Sequence, residues 1–423
     1  MKIKTKDLAY DLVVKLPRSK HKNPRKPNFF LKRLIKILSE SDLKKADFSY
    51  EEVNMEQVKN KPCLILMNHS SFIDLEIAEK LWYPKPLQIV CTSDGFVGKE
   101  ALMRAIGCIP TQKFVTDLNL LKDMKYALKT LKSSVLMYPE ASYSFDGTAT
   151  PLPDSLGKCV KLLGVPLVMI TTKGAFSRDP LYNMLQVRKV PVSAKMECLL
   201  TPEEIEKMSA EEINEMLSKV FSFDYFKWQQ EEMIEIAEEF RADGLNRVLY
   251  KCPHCMTEGK MEGSGTKLTC HSCGASYELD EFGNLVAENV ESKFSHIPDW
   301  FKWERECVRN ELIDGTYKLE EDVEIKMMVD KKAIYNVGEG KLVHDCKGFW
   351  LTGCDGKLEY KQSPQSSYSL YSDYYWYELG DMICIGDMKT LYYCFPKSGN
   401  DVVAKTRIAQ EELYKLDRKN KGF

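Results

Sequence analysis

The sequence predicts an α/β domain, with a mixed or parallel sheet covered by helices, followed by a small cysteine-rich module and a β-rich C-terminal domain. Three observations support this division. Short apolar runs alternate with amphipathic helical patterns between residues 60 and 200, which is typical of βα units. Two CxxC pairs then follow. After residue 315, alternating segments are separated by Gly and Asp-Gly turns, which is typical of a strand meander.

Short apolar runs and helical periodicity predict the elements of the α/β domain. The predicted strands are Cys63–Met67, Leu87–Cys91, Val135–Tyr138 and Pro166–Thr171. The predicted helices lie near Leu75–Leu81, Gly98–Ile106, Asp117–Leu131 and Ser155–Leu163. Reactive side chains are expected at the strand ends, because the backbone changes direction there.

Changes in composition predict the domain boundaries. We expect basic amphipathic helices over residues 1–50, the α/β domain over 51–245, the cysteine module over 246–292, a linking helix over 293–314 and the β-rich domain over 315–423. The β-rich domain resembles a pleckstrin-homology barrel in pattern only. Its predicted strands are Val323–Val329, Lys341–His344, Phe349–Thr352, Lys357–Tyr360, Met382–Ile385 and Leu391–Phe395, with a final helix at Thr406–Leu416.

Length, apolar runs and cysteine content indicate the class of protein and the cellular compartment. A chain of 423 residues is long enough to bury more than one core. No apolar run approaches the roughly 18 residues of a membrane span, and the start of the chain lacks the apolar segment of a signal peptide. Fourteen cysteines without a secretion signal favour a reducing, cytoplasmic compartment.

Charge is unevenly distributed along the chain. Residues 1–45 hold fourteen Lys and Arg against four Asp and Glu, whereas residues 201–240 hold twelve acids against three bases. Within the basic segment, Phe30, Leu31, Leu34, Ile35 and Leu38 share one helical face, and Lys32, Arg33 and Lys36 lie opposite. This pattern is typical of an interfacial helix in peripheral contact with an anionic membrane, here the inner face. The alternative is a surface helix docked on the protein core.

The best candidate for proton-transfer chemistry follows the first predicted strand. On a continuous helix, His69 and Asp74 would lie about 140° apart at roughly 100° per residue, so they meet only if the chain bends. Ser70 and Ser71 are good helix-capping residues, and a helix that begins near Ser71 supplies the bend. Asp74 can then accept the proton of one imidazole nitrogen and leave the other free to act as a base.

Three more polar segments lie at predicted strand ends or starts. They are the turn Gly107–Lys113, the segment Tyr138–Ser144 and the strand start Gly164–Ile170. A GxSxG elbow, typical of α/β hydrolases, does not occur in the sequence.

These four blocks, in this order, resemble the glycerolipid acyltransferase family typified by bacterial 1-acylglycerol-3-phosphate acyltransferase. The NHxxxxD block is matched by Asn68, His69 and Asp74. The Gly-x-Ile-x-x-x-Arg block is matched by Gly107, Ile109 and Lys113. The Phe-Pro-Glu-Gly-Thr-Arg-Ser block is matched by Tyr138, Pro139, Glu140, Ala141, Ser142, Tyr143 and Ser144. The Val-Pro-aliphatic block is matched by Val165, Pro166 and Leu167, and the resemblance covers about a third of the chain.

The resemblance implies an acyl transfer reaction. His69, oriented by Asp74, would remove the proton of an acceptor hydroxyl, which attacks the thioester of acyl-CoA or of an acyl carrier protein. Backbone N–H groups at the bend are expected to stabilise the oxyanion. The implied acceptor is a lysophospholipid or lysophosphatidic acid. Substrate-binding roles are expected for Asn68, Lys113, Glu140, Ser142 and Lys158.

Two departures from the family pattern concern the acceptor. The family's arginines in the second and third blocks are associated with the acceptor's phosphate, and this chain has Lys113 and Tyr143 instead. Lysine offers a point charge without the bidentate fork of arginine, and tyrosine offers no charge. The sequence therefore predicts acyl transfer more firmly than a phosphorylated acceptor. Ala141 and Tyr143 also support an alternative, a lipid-binding adaptor that kept the fold without the chemistry.

Two CxxC pairs predict a zinc ribbon. Cys252 and Cys255 are followed, after fourteen residues, by Cys270 and Cys273, and four thiolates at this spacing suit one tetrahedral, structural Zn²⁺. A redox dithiol pair or a docking module built on the ribbon are the alternatives. No nucleic-acid partner is expected, because residues 246–280 are close to neutral and phosphate binding requires a basic stripe.

Overall fold

The computed structural model describes residues 2–115, 117–399 and 401–420. Its first half contains short strands and many helices. The strands are β1 (Thr5–Asp7), β2 (Ser49–Val53), β3 (Leu64–Met67), β4 (Leu87–Thr92), β5 (Cys108–Thr111), β6 (Ser134–Met137), β7 (Leu167–Lys173) and β8 (Ser193–Leu200). The helices are α1 (Tyr10–Val13), α2 (Phe29–Lys45), α3 (Ile73–Trp82), α4 (Glu100–Ala105), α5 (Leu118–Lys129), α6 (Leu156–Leu163), α7 (Ala175–Arg178), α8 (Pro202–Lys207), α9 (Ala210–Val220) and α10 (Tyr225–Glu231).

Strands β2 to β8 form a seven-stranded sheet in the order β2-β8-β7-β3-β6-β4-β5. Every pair of neighbours is parallel except β7 and β8. The central strand β3 pairs with β6 and β7, so that Leu64 lies opposite Val135 and Leu167. Side chains alternate across β3: Ile65 joins the apolar cluster under α3, whereas Leu64 joins the cluster under α5 and α6. The predicted α/β domain with a mixed sheet is confirmed.

The apolar runs located the central strands, and three outer strands were missed. Strand β2 is a mostly exposed edge with the sequence Ser-Tyr-Glu-Glu-Val, and the short edge strand β5 contains Pro110. Strand β8 alternates buried and partly exposed residues, among them Lys195 and Glu197, so it has no continuous apolar run. Edge and half-exposed strands lack the signal that identifies a buried strand.

The cysteine module forms a small antiparallel sheet against a long helix. Its strands are β9 (Met261–Ser264), β10 (Lys267–Cys270), β11 (Ser276–Leu279) and β12 (Leu285–Ala287), in the order β12-β11-β10-β9. Helix α11 (Ile297–Ile313) follows. The indole of Trp300 on α11 contacts the Tyr277 ring edge-on at 5.0 Å and donates a hydrogen bond to the Lys251 carbonyl at 3.0 Å. The module therefore shares a core with α11.

The last part of the chain is β-rich, as predicted. Its elements are β13 (Lys318–Met328), β14 (Ile334–Asp345), β15 (Gly348–Gly353), β16 (Leu358–Gln362), β17 (Tyr371–Asp373), β18 (Met382–Gly386), β19 (Leu391–Pro396) and α12 (Val402–Asn420). The strands lie in the order β16-β15-β14-β13-β19-β18-β17. The likeness of this sheet to a pleckstrin-homology barrel stays a prediction.

The N-terminal segment contributes a strand to this C-terminal sheet. Strand β1 runs parallel to β14, with Thr5 opposite Ile334. Only helices were expected over residues 1–50, because the sequence Thr-Lys-Asp is exposed and carries no apolar signal. Strand β14 is long enough to pair with β15 from Gly340 onward and with β1 before it.

Buried ion pairs join α12 to α11. The Glu411 carboxylate is almost fully buried and accepts hydrogen bonds from Ser369 Oγ at 2.6 Å and Arg407 Nε at 3.2 Å. Arg305 on α11 lies 2.7 Å from the same carboxylate. Burial alone would raise the pKa of Glu411, but the guanidinium groups of Arg305 and Arg407 outweigh burial and lower it to about 2.

We predict that Glu411→Gln lowers the free energy of unfolding by about 3 kcal/mol at pH 7, because it leaves the buried guanidinium of Arg407 without its counter-charge. Since the folded pKa lies below the unfolded value of 4.5, this stabilisation is complete above pH 4.5 and is lost as pH falls toward 2. Urea unfolding of both proteins from pH 7 to pH 3 checks this. The difference should narrow below pH 4.5, and Glu359→Gln, in the exposed pair with Lys361, should match the native protein throughout.

Candidate active site

The carboxyl ends of the parallel strands β3 to β7 meet at one edge of the sheet. In an open α/β sheet, ligands bind at this edge. The polar residues that follow or end these strands are His69 after β3, Asp94 after β4, Lys113 after β5, Glu140 after β6 and Thr172 at the end of β7. Five segments that are separate in the sequence thus meet at one edge of the sheet.

Asp74 organises the bend that brings it to His69. Helix α3 begins at Ile73, two residues later than expected, and the turn before it places the two side chains together. Oδ2 of Asp74 accepts hydrogen bonds from the backbone N–H of Ser70 at 2.7 Å and of Ser71 at 3.1 Å. The same oxygen lies 3.2 Å from Nδ1 of His69. One carboxylate therefore fixes both the turn and the imidazole, and it leaves Nε2 of His69 for a substrate.

Glu140 joins the first block to the third. Its Oε2 accepts a hydrogen bond from the N–H of His69 at 3.0 Å, and its Oε1 accepts from the N–H of Thr150 at 2.9 Å. The N–H of Ser144 donates to the His69 carbonyl at 3.3 Å. Burial raises the pKa of Glu140 to about 7, against the effect of these N–H donors. Glu140 thus positions the backbone of His69, while the substrate contact expected of it stays a prediction.

These bonds occupy three of the N–H groups at the bend that were expected to stabilise an oxyanion. The N–H groups of Ser70 and Ser71 donate to Asp74, and that of His69 donates to Glu140. Each carries one proton, which a carboxylate oxygen already accepts. The N–H groups of His69, Ser70 and Ser71 are therefore engaged, and an oxyanion role for the bend stays a prediction.

The His69 imidazole lies between two tyrosine rings. Its centroid is 4.0 Å from that of Tyr138 and 4.3 Å from that of Tyr143. Burial, reinforced by the charge of Lys113, lowers the pKa of His69 well below its usual value. Burial also raises the pKa of Asp74 to about 7, and the N–H groups of Ser70 and Ser71 oppose that rise. A neutral imidazole near pH 7 has the protonation state of a general base.

Asn68 fastens the end of β3 to the end of β7. Its amide oxygen accepts a hydrogen bond from the N–H of Thr172 at 2.8 Å, and its amide nitrogen donates to the Thr172 hydroxyl at 3.0 Å. The amide nitrogen also donates to the hydroxyl of Tyr225 on α10, which lies 2.5 Å from the Ser70 hydroxyl. The role expected of Asn68 in substrate binding stays a prediction.

The three remaining predicted residues differ in their surroundings. Lys113 lies beside the C-terminal sheet, with Nζ 4.3 Å from the centre of the Tyr371 ring. Ser142 is 3% exposed, and its Oγ has no hydrogen-bond partner within residues 2–115, 117–399 and 401–420. Lys158 is exposed on α6, and in the described part of the chain it makes no contact with His69. Substrate roles for all three remain predictions.

The second and third blocks each contain a residue with a positive φ angle. Gly107 has φ 96°, and an added Cβ would come within 2.7 Å of the Leu87 carbonyl oxygen, so the turn requires glycine. Ala141 occupies the position of glycine in the family pattern and has φ 58°. A left-handed conformation costs a residue with a Cβ roughly 1–2 kcal/mol. The third block therefore holds local strain beside the imidazole.

A cavity of about 830 Å³ lies beside the third block. It is bordered by the loop 145–154 and by residues of α9, α11 and α12. Phe145, Phe221 and Phe301 give it an apolar part, and Thr150, which donates to Glu140, connects it to the site around His69. Its volume lies within the range of small-molecule sites.

The four cysteines form a set that fits one metal ion. Their sulfur atoms all lie within 4.8 Å of one another. Sγ of Cys252 lies 3.7 Å from Sγ of Cys273, and Sγ of Cys255 lies 3.7 Å from Sγ of Cys270. A tetrahedron with Zn–S bonds of about 2.3 Å has edges of about 3.8 Å. These separations exceed a disulfide bond and suit Zn²⁺.

Sequence reasoning missed the residues that reach the site from later in the chain. Tyr225 lies in the aromatic stretch 221–228, whose pattern favours packing against the α/β domain over lining an acyl groove. Nothing in that pattern predicts its hydrogen bonds to Asn68 and Ser70. Tyr371 and Tyr393 donate to the carboxylate of Asp94 from the C-terminal sheet. Such contacts depend on the packing of distant segments and leave no local pattern.

Comparisons with known proteins agree with the resemblance for one part of the chain. Residues 49–173 match the family model described as Acyltransferase. This segment runs from β2 to the end of β7 and contains all four blocks, so it is similar to acyltransferases. No curated protein sequence matches the chain.

One similar solved structure is the 1-acyl-sn-glycerophosphate (LPA) acyltransferase PlsC from Thermotoga maritima. The two sequences are 15% identical, and the alignment covers 45% of this chain and 77% of that chain, with a TM-score of 0.36. A likeness this distant supports no conclusion about the substrate.

Proposed function

We propose that this protein is an O-acyltransferase that moves a fatty acyl group from a thioester to a hydroxyl of a lysolipid acceptor. The observation that carries the proposal is the pair formed by Asp74 and a neutral, mostly buried His69, with Nδ1 held at 3.2 Å and Nε2 left for the substrate. The donor is acyl-CoA or an acyl carrier protein. The match of residues 49–173 to the acyltransferase family model supports the same reaction class.

The reaction proceeds without an acyl-enzyme. Nε2 of His69 takes the proton of the acceptor hydroxyl while the oxygen attacks the thioester carbonyl carbon. Asp74 stabilises the imidazolium that forms. The tetrahedral intermediate collapses, the C–S bond breaks, and the imidazolium returns its proton to the thiolate, so that an ester and a thiol are released.

The hydroxyls of Tyr138 and Ser142 are the best candidates for stabilising the oxyanion. Both are buried and make no hydrogen bond in the described part of the chain, and the Tyr138 ring stacks on His69. A donor that is not already engaged can turn toward the charge that develops in the transition state. The neighbouring cavity of about 830 Å³ offers room for a non-reacting part of a substrate.

We predict that His69→Ala lowers kcat for acylation by about 100-fold or more, because a positioned general base contributes on the order of 10²–10⁴. The measurement uses purified protein, labelled acyl-CoA and a panel of lysolipids, with products read by mass spectrometry. His21→Ala is the control, since the His21 side chain is 45% exposed and its partner, Asp123, lies outside the four blocks. Equal turnover by the His69→Ala variant and the native protein would contradict the mechanism.

We further propose that Cys252, Cys255, Cys270 and Cys273 hold one structural Zn²⁺. The sulfur separations match a tetrahedral site, and four protein ligands leave no open position for catalysis. The ion would brace the module against α11, where Tyr277 contacts Trp300. Because binding occurs only in the folded state, the ion would also contribute to stability.

We expect the purified protein to contain one zinc per chain and Cys270→Ser to lose the metal and melt at a lower temperature. Elemental analysis and thermal unfolding measure both effects. Cys346→Ser is the matched control, because Cys346 is an exposed cysteine outside the set. A native protein that lacks zinc after expression in zinc-supplemented medium contradicts the proposal.

We also propose that α2 contacts an anionic membrane surface. The side of α2 turned toward α3 carries Lys32, which lies 3.6 Å from Glu79 and is buried. The side turned outward is apolar: Phe30 is 79% exposed and Leu38 is 67% exposed, with Leu34 and Ile37 beside them. An outward apolar stripe supports the interfacial helix over the docked one. Among the described residues, no helix is long and apolar enough to cross a membrane.

Replacing Phe30 and Leu38 together by Ser should weaken binding to vesicles of mixed neutral and anionic phospholipid at least about tenfold, because two large apolar side chains no longer enter the lipid. Co-sedimentation with the vesicles measures the change. The control carries Leu162→Ser and Val187→Ser, which alter two similarly exposed residues elsewhere. Equal loss of binding in both double variants would count against α2 as the contact.

A further inference from the structure

We infer that the C-terminal sheet forms the acceptor-specificity wall of the active site, where Asp373 with Lys113 selects an acceptor that is uncharged beside its reacting hydroxyl over one that carries a phosphate monoester. The inference rests on the proposed acyl transfer and names its acceptor class. Asp373 lies on β17, outside the segment that matches the acyltransferase family model.

Strand β17 is fixed to the carboxyl edge of the α/β sheet through Asp94. This buried carboxylate accepts hydrogen bonds from the hydroxyls of Tyr371 and, at 3.5 Å, Tyr393. The indole of Trp376 donates to the Tyr371 hydroxyl at 2.9 Å. Around these bonds, Phe114, which directly follows Lys113, belongs to the same apolar cluster as Trp376. The wall is therefore joined to the α/β domain by polar bonds and by apolar packing.

The alternation of β17 puts Asp373 on the side of Lys113. Tyr371 and Asp373 are two residues apart on one strand, so their side chains share a face, and Ser372 points the other way. Tyr371 contacts Lys113, whose Nζ lies 4.3 Å from the ring centre. In the described part of the chain no hydrogen bond or ion pair joins Lys113 to Asp373, so neither side chain is engaged by the other.

Electrostatic effects agree with this placement. Burial raises the pKa of Asp373 to about 7, and the nearby Lys113 opposes that rise. Burial lowers the pKa of Lys113, and Asp373 followed by Asp94 opposes that fall. Lys113 in turn contributes to the lowered pKa of His69. Lys113 therefore interacts electrostatically with both the His69 imidazole and the carboxylate of Asp373 on β17.

The turn after β17 is held in an uncommon conformation. Tyr375, Tyr377 and Glu378 have φ of 56°, 47° and 65°. Residues with a Cβ adopt this region only when their surroundings fix it, and such residues cluster at ligand sites. The Tyr377 hydroxyl would lie 3.8 Å from a Cβ added at Gly95, so the turn reaches the segment that follows β4. The turn after β17 is therefore held against the end of β4 by its surroundings.

The charges of this wall disfavour a phosphate monoester. Lys113 and Asp373 sum to zero whether both are charged or both are neutral, and Asp94 adds a further carboxylate near Lys113. Tyr143, against the His69 ring, adds no positive charge. Arg407 also lies near Lys113, but its guanidinium is paired with Glu411. A dianionic phosphate would therefore meet carboxylates without an excess of cations. An uncharged hydroxyl, by contrast, can accept from Lys113 and donate to Asp373.

The test compares two acceptors that differ only in the phosphate, namely monoacylglycerol and lysophosphatidic acid with the same acyl chain. With purified full-length protein and acyl-CoA, we expect kcat/KM to be at least about tenfold higher for monoacylglycerol. Asp373→Asn should reduce this ratio at least about tenfold, because the positive charge of Lys113 is then no longer offset by a carboxylate at position 373 and can attract the phosphate. Asp355→Asn, the same change at an exposed turn of the opposite edge of the sheet, should leave the ratio unchanged.

Lys113→Met supplies a second measurement on the same pair, should Asp373→Asn fail to fold. It leaves the carboxylate without its counter-charge, so the preference for monoacylglycerol should increase. A native preference for lysophosphatidic acid, or a ratio that neither variant alters, would overturn this inference and leave the proposed acyl transfer standing. Absence of His69-dependent transfer to either acceptor would overturn the proposed function and this inference with it.

Discussion

Buried carboxylates hold the candidate site together, and each one joins segments that are separate in the sequence. Asp74 binds the turn before α3 to the imidazole of His69. Glu140 binds the backbone of His69 to the loop at Thr150. Asp94 binds the end of β4 to two tyrosines of the C-terminal sheet. Buried carboxylates persist only when donors satisfy them, so the loops at this edge of the sheet have little freedom to rearrange separately.

This arrangement explains why His69 differs chemically from a surface histidine. Its backbone is held on both sides, its ring is enclosed by Tyr138 and Tyr143, and its Nδ1 faces a carboxylate. Burial lowers its pKa, so the neutral ring requires no deprotonation before it acts. Geometry and protonation state are thus set by the same contacts.

Local sequence patterns located the parts of the fold that bury continuous apolar runs. They found the central strands β3, β4, β6 and β7, and they found the histidine and the cysteines because those residues occur at fixed spacings. They missed the polar edge strand β2, and they did not show which face of α2 turns inward, because Lys32 is buried against Glu79. Contacts such as that between Asp94 and Tyr371, which are 277 residues apart, arise only from tertiary packing.

The pairing of β1 with β14 means that the first strand belongs to the C-terminal sheet, and the α/β domain lies between these two strands along the chain. Asp7 and Asn336 contact each other across a separation of 329 residues. At roughly 5–20 residues per second, a ribosome needs on the order of tens of seconds to synthesise that length. During synthesis, β1 therefore stays unpaired until the α/β domain has emerged and β14 has followed it. The C-terminal sheet is completed only after that.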